Sequence, residues 1–432
     1  MKTIAAHTLG CKVNQYDTQA MLELFRRENY EIVPVHCEAD VYLVNTCTVT
    51  GTGDRKSLQL IRKIRREHPD SRLIVCGCMA QERGEELLSL GADLVLGIQR
   101  RAEVVSLLKN VEENSLPLCA VAPFPEHMPY EGLEISEQEE HTRAVLKIQE
   151  GCNNHCSYCI IPSVRGPVRS RPMQDIEQEV VRLAEAGFRE IVLTGIHLCS
   201  YGRENASGTG LLDVIRRIQE EPRILRIRLG SLEPTVATEA FASALKECTK
   251  ICPQFHLALQ SGSDTVLARM KRRYNTTQYL QGVDNLRKAF PDASFTTDIL
   301  TGFPGETEAE FRETKEMIRK VGFARIHVFP YSPRPRTPAA AMPGQLSREK
   351  KEKQARELIE LGHQVAQCYL NSWAGKESEL LPEQLISGCW EGYTPQYIRV
   401  RMEPGTECIS GRPVRIILSE GDFRAMRGRI II

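Results

Sequence analysis

The sequence predicts an α/β protein in three parts: a doubly wound parallel sheet, a partial (β/α)6 barrel and a small antiparallel β-barrel. Over residues 1–111, apolar runs of strand length alternate with amphipathic stretches, as in a parallel sheet covered on both faces. The alternation resumes over 143–330 as six βα units in a row, which suggests a barrel or partial barrel with its site at the C-terminal strand ends. From 376 onward the pattern changes to short alternating runs punctuated by Gly388, Gly392, Gly405, Gly411, Gly421 and Gly428, which suits a small β-barrel.

Taken in order, the N-terminal part (1–111) has strand candidates at 3–9, 41–45, 72–76 and 94–96. Its helix candidates lie at 17–28, 55–67, 82–90 and 101–110. Residues 112–142 carry Pro117, Pro123, Pro125 and Pro129 and then an acidic run at 131–140, and read as an interdomain linker. In the central part (143–344), strand candidates at 144–149, 190–194, 224–230, 254–259, 294–300 and 324–330 alternate with helix candidates such as 175–186 and 277–290. Pro330, Pro333, Pro335, Pro338 and Pro343 then break regular structure. Residues 345–371 read as one long charged helix, and 372–432 as the β-barrel.

Lys+Arg and Asp+Glu each number 56, so there is no global basic field, and any nucleic-acid partner must be held by local patches. The 15 cysteines are an odd count, which argues against a pure disulfide framework. The N-terminal apolar run is broken by His7 and Thr8 and is no signal peptide. No stretch approaches the ~20 apolar residues of a membrane span. The expectation is a cytoplasmic protein with no membrane partner, in which clustered cysteines bind metal or do redox work.

Cys152, Cys156 and Cys159 stand as C-x3-C-x2-C directly after the first strand of the βα series. Thiolates this close wrap one inorganic centre. A structural zinc ion wants a fourth ligand nearby, and no second Cys or His pair follows. A four-iron cluster held by three thiolates keeps one iron open for a small molecule.

The motif, its place after the strand, and Gly151-Cys152 with Tyr158-Cys159 resemble the radical S-adenosylmethionine (SAM) enzymes. The resemblance implies that the open iron binds the amino and carboxylate groups of SAM. One electron then cleaves the sulfonium to a 5′-deoxyadenosyl radical.

Cys11, Cys47 and Cys78 stand in loops at strand ends, flanked by Gly, Asn or Thr, and read either as buried cysteines or as a second three-thiolate cluster site. Cys76 competes with Cys78 but ends an apolar run, so Cys78 is the chosen third ligand.

A three-cysteine N-terminal part, a radical-SAM part and a small β-domain resemble the methylthiotransferase family in layout. Gly10-Cys11, Asn45-Thr46-Cys47, Gly77-Cys78-Met79-Ala80-Gln81, 166–171 (GPVRSR), 256–264 (HLALQSGSD) and 297–307 (TDILTGFPGET) carry the match. The stretch 8–15 (TLGCKVNQ) looks most like the MtaB-type branch. That resemblance implies two [4Fe-4S] clusters and SAM as cofactors, catalysis through both cysteine trios, and a TRAM-like RNA-binding C-terminal domain. It implies a tRNA anticodon stem-loop as substrate, with N6-threonylcarbamoyladenosine at position 37 converted to its 2-methylthio form, and a donor such as flavodoxin or ferredoxin supplying electrons. Isopentenyladenosine in tRNA and a ribosomal-protein side chain are the alternative substrates. An RNA-binding iron–sulfur regulator without turnover is the alternative of another class.

Several residues have two readings. Gly195 and His197 form either a SAM-contacting turn or plain turn geometry. Gln260 and Ser263 contact a ribose or carboxylate, or Ser263 caps a helix. The turn 302–306 lines an adenine pocket or merely joins strand to helix. Arg165, Arg169 and Arg171 bind SAM or RNA, or pair with an acidic helix. Lys271-Arg272-Arg273-Tyr274 is an RNA contact or a solvated face. In the last domain Arg399, Arg401, Arg412, Arg415, Arg424, Arg427 and Arg429 are interleaved with Tyr393, Tyr397 and Phe423, a pattern suited to single-stranded RNA.

Overall fold

A computed structural model of the chain describes residues 1–125, 128–135, 142–204 and 208–431. The second half of the acidic run, 136–140, lies outside them.

The N-terminal part runs β1 (Thr3–Thr8), α1 (Lys12–Arg27), β2 (Glu31–Val33), β3 (Val41–Thr46), α2 (Gly51–Glu67), β4 (Arg72–Gly77), α3 (Cys78–Ser89), β5 (Leu94–Val95), α4 (Val104–Asn114) and β6 (Leu118–Cys119). Its six strands are parallel, in the order β2-β1-β3-β4-β5-β6. Helices cover both faces. Leu43 packs with Met21, Phe25 and Leu108 on one side, and Val44 packs with Ile61 and Leu87 on the other. β3 is therefore buried along its whole length and opens with an apolar run at 41–44, as suits a strand covered on both faces.

Three details depart from the sequence reading. The edge strands β2 and β6 are too short for periodicity to register. α1, α2 and α3 begin at Lys12, Gly51 and Cys78, ahead of the expected 17, 55 and 82, because their first turns are polar or glycine-containing and read as loop. α4 and β6 also carry the parallel-sheet unit past residue 111.

The central part runs β7 (Arg143–Glu150), α5 (Ile161–Arg165), β8 (Arg169–Ser170), α6 (Met173–Glu185), β9 (Glu190–Gly195), α7 (Leu211–Gln219), β10 (Arg226–Leu229), β11 (Ser231–Leu232), α8 (Glu239–Lys246), β12 (Gln254–Leu257), α9 (Asp264–Arg269), α10 (Thr276–Ala289), β13 (Ser294–Thr301), α11 (Glu308–Val321) and β14 (Arg325–Pro330). Two four-stranded sheets, β10-β9-β7-β8 and β11-β12-β13-β14, meet where one run breaks at Gly230. The Gly230 N–H donates to Leu193 O at 2.8 Å, and an added Cβ would lie 2.8 Å from that oxygen, so only glycine lets the strand switch sheets. Outward residues such as Ala144, Leu146 and Ile148 pack under α6 and α7. The free edge of β14 leaves the barrel partial, and α12 (Arg348–Asn371) lies along it.

β15 (Glu377–Ile386), β16 (Cys389–Tyr393), β17 (Arg399–Met402), β18 (Val414–Asp422) and β19 (Ala425–Ile430) close a barrel in the order β15-β16-β17-β19-β18. The expected antiparallel barrel holds with one correction: β17 and β19 run parallel, because β18 lies between them in sequence but not in space. The turn 393–397 seals the N-terminal end of the partial barrel. Arg226 donates to Tyr393 O (3.1 Å), Arg228 to Pro395 O (2.9 Å), and Ser294 to Gln396 O (2.6 Å).

Candidate active site at the interdomain interface

β7 delivers its following loop to the C-terminal face of the partial barrel. Gly151 takes φ +72°, and a Cβ there would sit 1.8 Å from Pro167 O, so the chain turns into the cysteine loop only with glycine. Ser157 then pins the loop to α9, donating to Arg269 O (2.8 Å) and Met270 O (3.0 Å). The Asn154 N–H donates to Cys152 Sγ (3.4 Å) and Arg272 donates to Cys156 Sγ (3.2 Å). A cavity of about 150 Å³ opens beside the three thiols, lined also by Asn154, His197 and Glu233. His197 Nε2 lies 3.1 Å from Glu233, and the His197 backbone N–H donates to Gln149 Oε1 at 2.7 Å. Burial opposes ionisation of Glu233, but His197 and Arg272 outweigh it and hold the carboxylate charged.

The second trio stands at strand ends and helix starts of the parallel sheet. Cys11 caps α1, Cys47 follows β3, and Cys78 opens α3. Asn14 ties the loops together by donating to Leu9 O (2.7 Å) and Thr46 O (3.0 Å). Gly10 (φ +107°) passes so close that a Cβ would lie 3.2 Å from Cys47 Sγ. Cys76 instead faces the apolar core with Ile4, Leu43 and Ile74.

Burial pushes the thiols of Cys78 and Cys159 up to about 12 and raises those of Cys47 and Cys152. A metal centre bound there would take the place of the thiol protons. Both donor sets suit a soft iron–sulfur group. Among the described residues, no group of three or more His, Cys, Asp or Glu is spaced to hold a single metal ion. A cluster that takes one thiolate per iron does not require that spacing.

The two sites back onto each other. Cys78 packs on Ile160 and Val164, so the N-terminal trio touches the residue after Cys159. Arg165, fully buried, donates to Cys78 Sγ (3.1 Å) and pairs with Asp17 (3.0 Å) and Glu150 (3.1 Å). Asp17 also pairs with Arg101 (2.5 Å) and Lys147. Arg101 reaches Glu131 at 2.8 Å. Beside this network Arg171 pairs with Glu179 (2.5 Å), which accepts from Tyr16 of α1 (3.0 Å).

The sequence-derived candidates are placed unevenly. His197 lines the cavity, while Gly195 is pressed against Gln149 and owes its missing Cβ to that contact. Gln260 has φ +65°, and its backbone bonds to Asp298 O (2.9 Å) and Leu300 N (2.8 Å). Ser263 is buried against Thr265 and makes no side-chain cap to α9. Neither lines the cavity. Arg165 lies at the Cys78 side, and Arg171 takes the acidic-helix reading. Phe303 stacks edge-on to Tyr158 at 6.5 Å instead of opening a pocket. The basic run 271–274 is split: Arg272 and Tyr274 turn into the site, and Lys271 and Arg273 face solvent. Asn154 and Glu233 escaped sequence reasoning, although Asn154 sits inside the cysteine motif itself.

In the last barrel the seven arginines are exposed. Their aromatic neighbours are not free to stack on bases. Tyr393 and Tyr397 stack on each other (4.6 Å) beneath Arg143, and Phe423 stacks on His363 of α12 (3.9 Å).

Residues 146–318 match the Radical SAM superfamily and residues 3–97 match the Uncharacterized protein family UPF0004. The chain is 38% identical to "Threonylcarbamoyladenosine tRNA methylthiotransferase MtaB" of Bacillus subtilis (strain 168), with 100% of this chain and 97% of that protein covered. It is 32% identical to "tRNA-2-methylthio-N(6)-dimethylallyladenosine synthase" of Moorella thermoacetica, covering 100% of this chain and 98% of that one. The fold is similar to that of the radical S-adenosylmethionine methyltransferase TsrM from Kitasatospora setae, with a TM-score of 0.58 and 14% identity over 78% of this chain and 77% of that one.

Proposed function

Because the chain belongs to the radical SAM methylthiotransferase family, we propose that it methylthiolates carbon 2 of N6-threonylcarbamoyladenosine beside the anticodon of tRNA. Its cofactors are SAM and [4Fe-4S] clusters. Cys152, Cys156 and Cys159 hold the cluster that binds SAM, and Cys11, Cys47 and Cys78 hold the other. When bound, these groups supply a hydrogen-abstracting carbon radical, the sulfur and the methyl group.

This chain's own residues orient and enclose. Asn154 and Arg272 hold the sulfurs of Cys152 and Cys156 by hydrogen bonds. Glu233, kept anionic by His197 and Arg272, provides a carboxylate at the cavity for a cationic amine. Arg165 stabilises charge on Cys78. The arginine face of the C-terminal barrel holds RNA phosphates, and a flavodoxin or ferredoxin delivers electrons.

One observation carries the reading: two three-thiol sites meet through Cys78, Ile160 and Val164 across one interface. A single substrate carbon can then be served by both. Mass spectrometry of tRNA nucleosides from a deletion strain tests it. The 2-methylthio form of threonylcarbamoyladenosine should disappear, and its persistence would overturn the proposal.

A further inference from the structure

A chamber of about 570 Å³ lies where all three parts of the molecule meet. α1 forms one wall, with Lys12 at the end next to Cys11. β7 and β9 form another through Arg143, Val145 and Val192, and Tyr397 closes the floor. Its size falls within the range of ~300–1,000 Å³ that small-ligand sites occupy. Its lining includes Lys12, Arg26 and Arg143 but no described Asp or Glu, although acids and bases are equal in number in the chain.

Lys12 is the distinctive group. It keeps contact with solvent, yet it has no ion-pair partner among the described residues. The charged and titratable groups that face it are Arg143, Arg228, Tyr397 and Glu190. Glu190 is already held by Arg228 through two contacts, of 2.6 and 3.3 Å. Arg143 pairs with Glu383 and lies over the Tyr397 ring at 5.2 Å. With no described carboxylate in the lining and Glu190 already engaged by Arg228, Lys12 leaves a positive charge at the chamber that a bound anion would balance. Val145, Val192 and Leu22 offer apolar surface for a flat base.

We propose that this chamber receives the modified adenine, with Lys12 and Arg143 binding the carboxylate on its N6 arm, and that this pair sets the preference for an acidic over a neutral arm. The inference rests on the substrate reading above and adds the group that enforces it. A chamber cation that pairs with an acidic arm but gains no partner from a neutral one favours the acidic ligand. An RNA phosphate would offer the same oxyanion chemistry, and the test separates the two.

The test uses the reconstituted full chain and two anticodon stem-loop RNAs, one with N6-threonylcarbamoyladenosine and one with its carboxylate converted to the amide. Wild type should favour the acid by on the order of a hundredfold in kcat/KM. Lys12→Gln should cut that ratio at least tenfold through KM, and Lys12→Arg should restore most of it. If Lys12→Gln loads less iron than wild type, Arg143→Gln, set apart from the cysteines, should still lower the ratio. An equal loss on both RNAs would overturn the inference and assign Lys12 to a phosphate. Turnover of the acid RNA with the ratio unchanged in both variants would also overturn it while leaving the substrate reading intact. Failure of wild type to modify either RNA would defeat both.

Discussion

At the scale of single residues, the interface is held by charges that water does not reach. Asp17 and Glu150 are each buried and are shared among Arg101, Lys147 and Arg165. Arg165→Met should cost about 3–5 kcal/mol in denaturant unfolding, because it leaves two buried carboxylates short of a cation. Glu306 is a second case. Burial raises its carboxyl to about 7, against a hydrogen bond from the Gly302 N–H (2.7 Å) that favours the charge. The folded state therefore binds the extra proton. Glu306's contribution is full below about pH 4.5 and is lost as pH rises through about 7. Glu306→Gln should stabilise the protein at pH 8 by on the order of 1–3 kcal/mol in thermal or denaturant melts, with the gain vanishing by pH 4. The six candidate cysteine ligands were legible because spacing and loop flanks betray them. Asp17 was not, because its partners lie far along the chain and nothing local marks a charge that will be buried.

At the scale of elements, the cysteine loops are set by the strands that feed them. Gly151→Ala would drive a methyl into Pro167 O. It should remove the loop's cluster, lowering iron from about eight to about four per chain, with helix content by circular dichroism retained. The same fall is expected when Cys152, Cys156 and Cys159 are all replaced by Ala, and no fall would defeat the ligand assignment. Most strands were readable because apolar runs of four or more residues cannot hide. The edge strands β2 and β6 and the first turns of α1, α2 and α3 were not, since they are short or polar and are ordered by neighbours rather than by their own periodicity.

At the scale of the molecule, the C-terminal barrel serves two masters. Its turn 393–397 seals the central barrel, and its outer face carries Arg399, Arg401, Arg427 and Arg429 on neighbouring strands. Arg427→Gln and Arg429→Gln should each reduce the slope of log affinity against log salt for stem-loop RNA by ~0.7, without altering SAM cleavage. Composition alone hid this face, because the chain's charges cancel overall. The interleaved tyrosines misled in the other direction: they serve the domain contact.

The buried ion network also sets a timetable for the newborn chain. Asp17 leaves the ribosome with Arg101 soon to follow, but Lys147 and Arg165 come later. At ~5–20 residues per second the delay is on the order of ten seconds. During that interval Cys78 lacks the apolar cover of Ile160 and Val164, and the N-terminal thiols stand at an open lip. Oxidation of nascent chains should therefore strike Cys11, Cys47 and Cys78 before it strikes the trio that is synthesised against its finished neighbour.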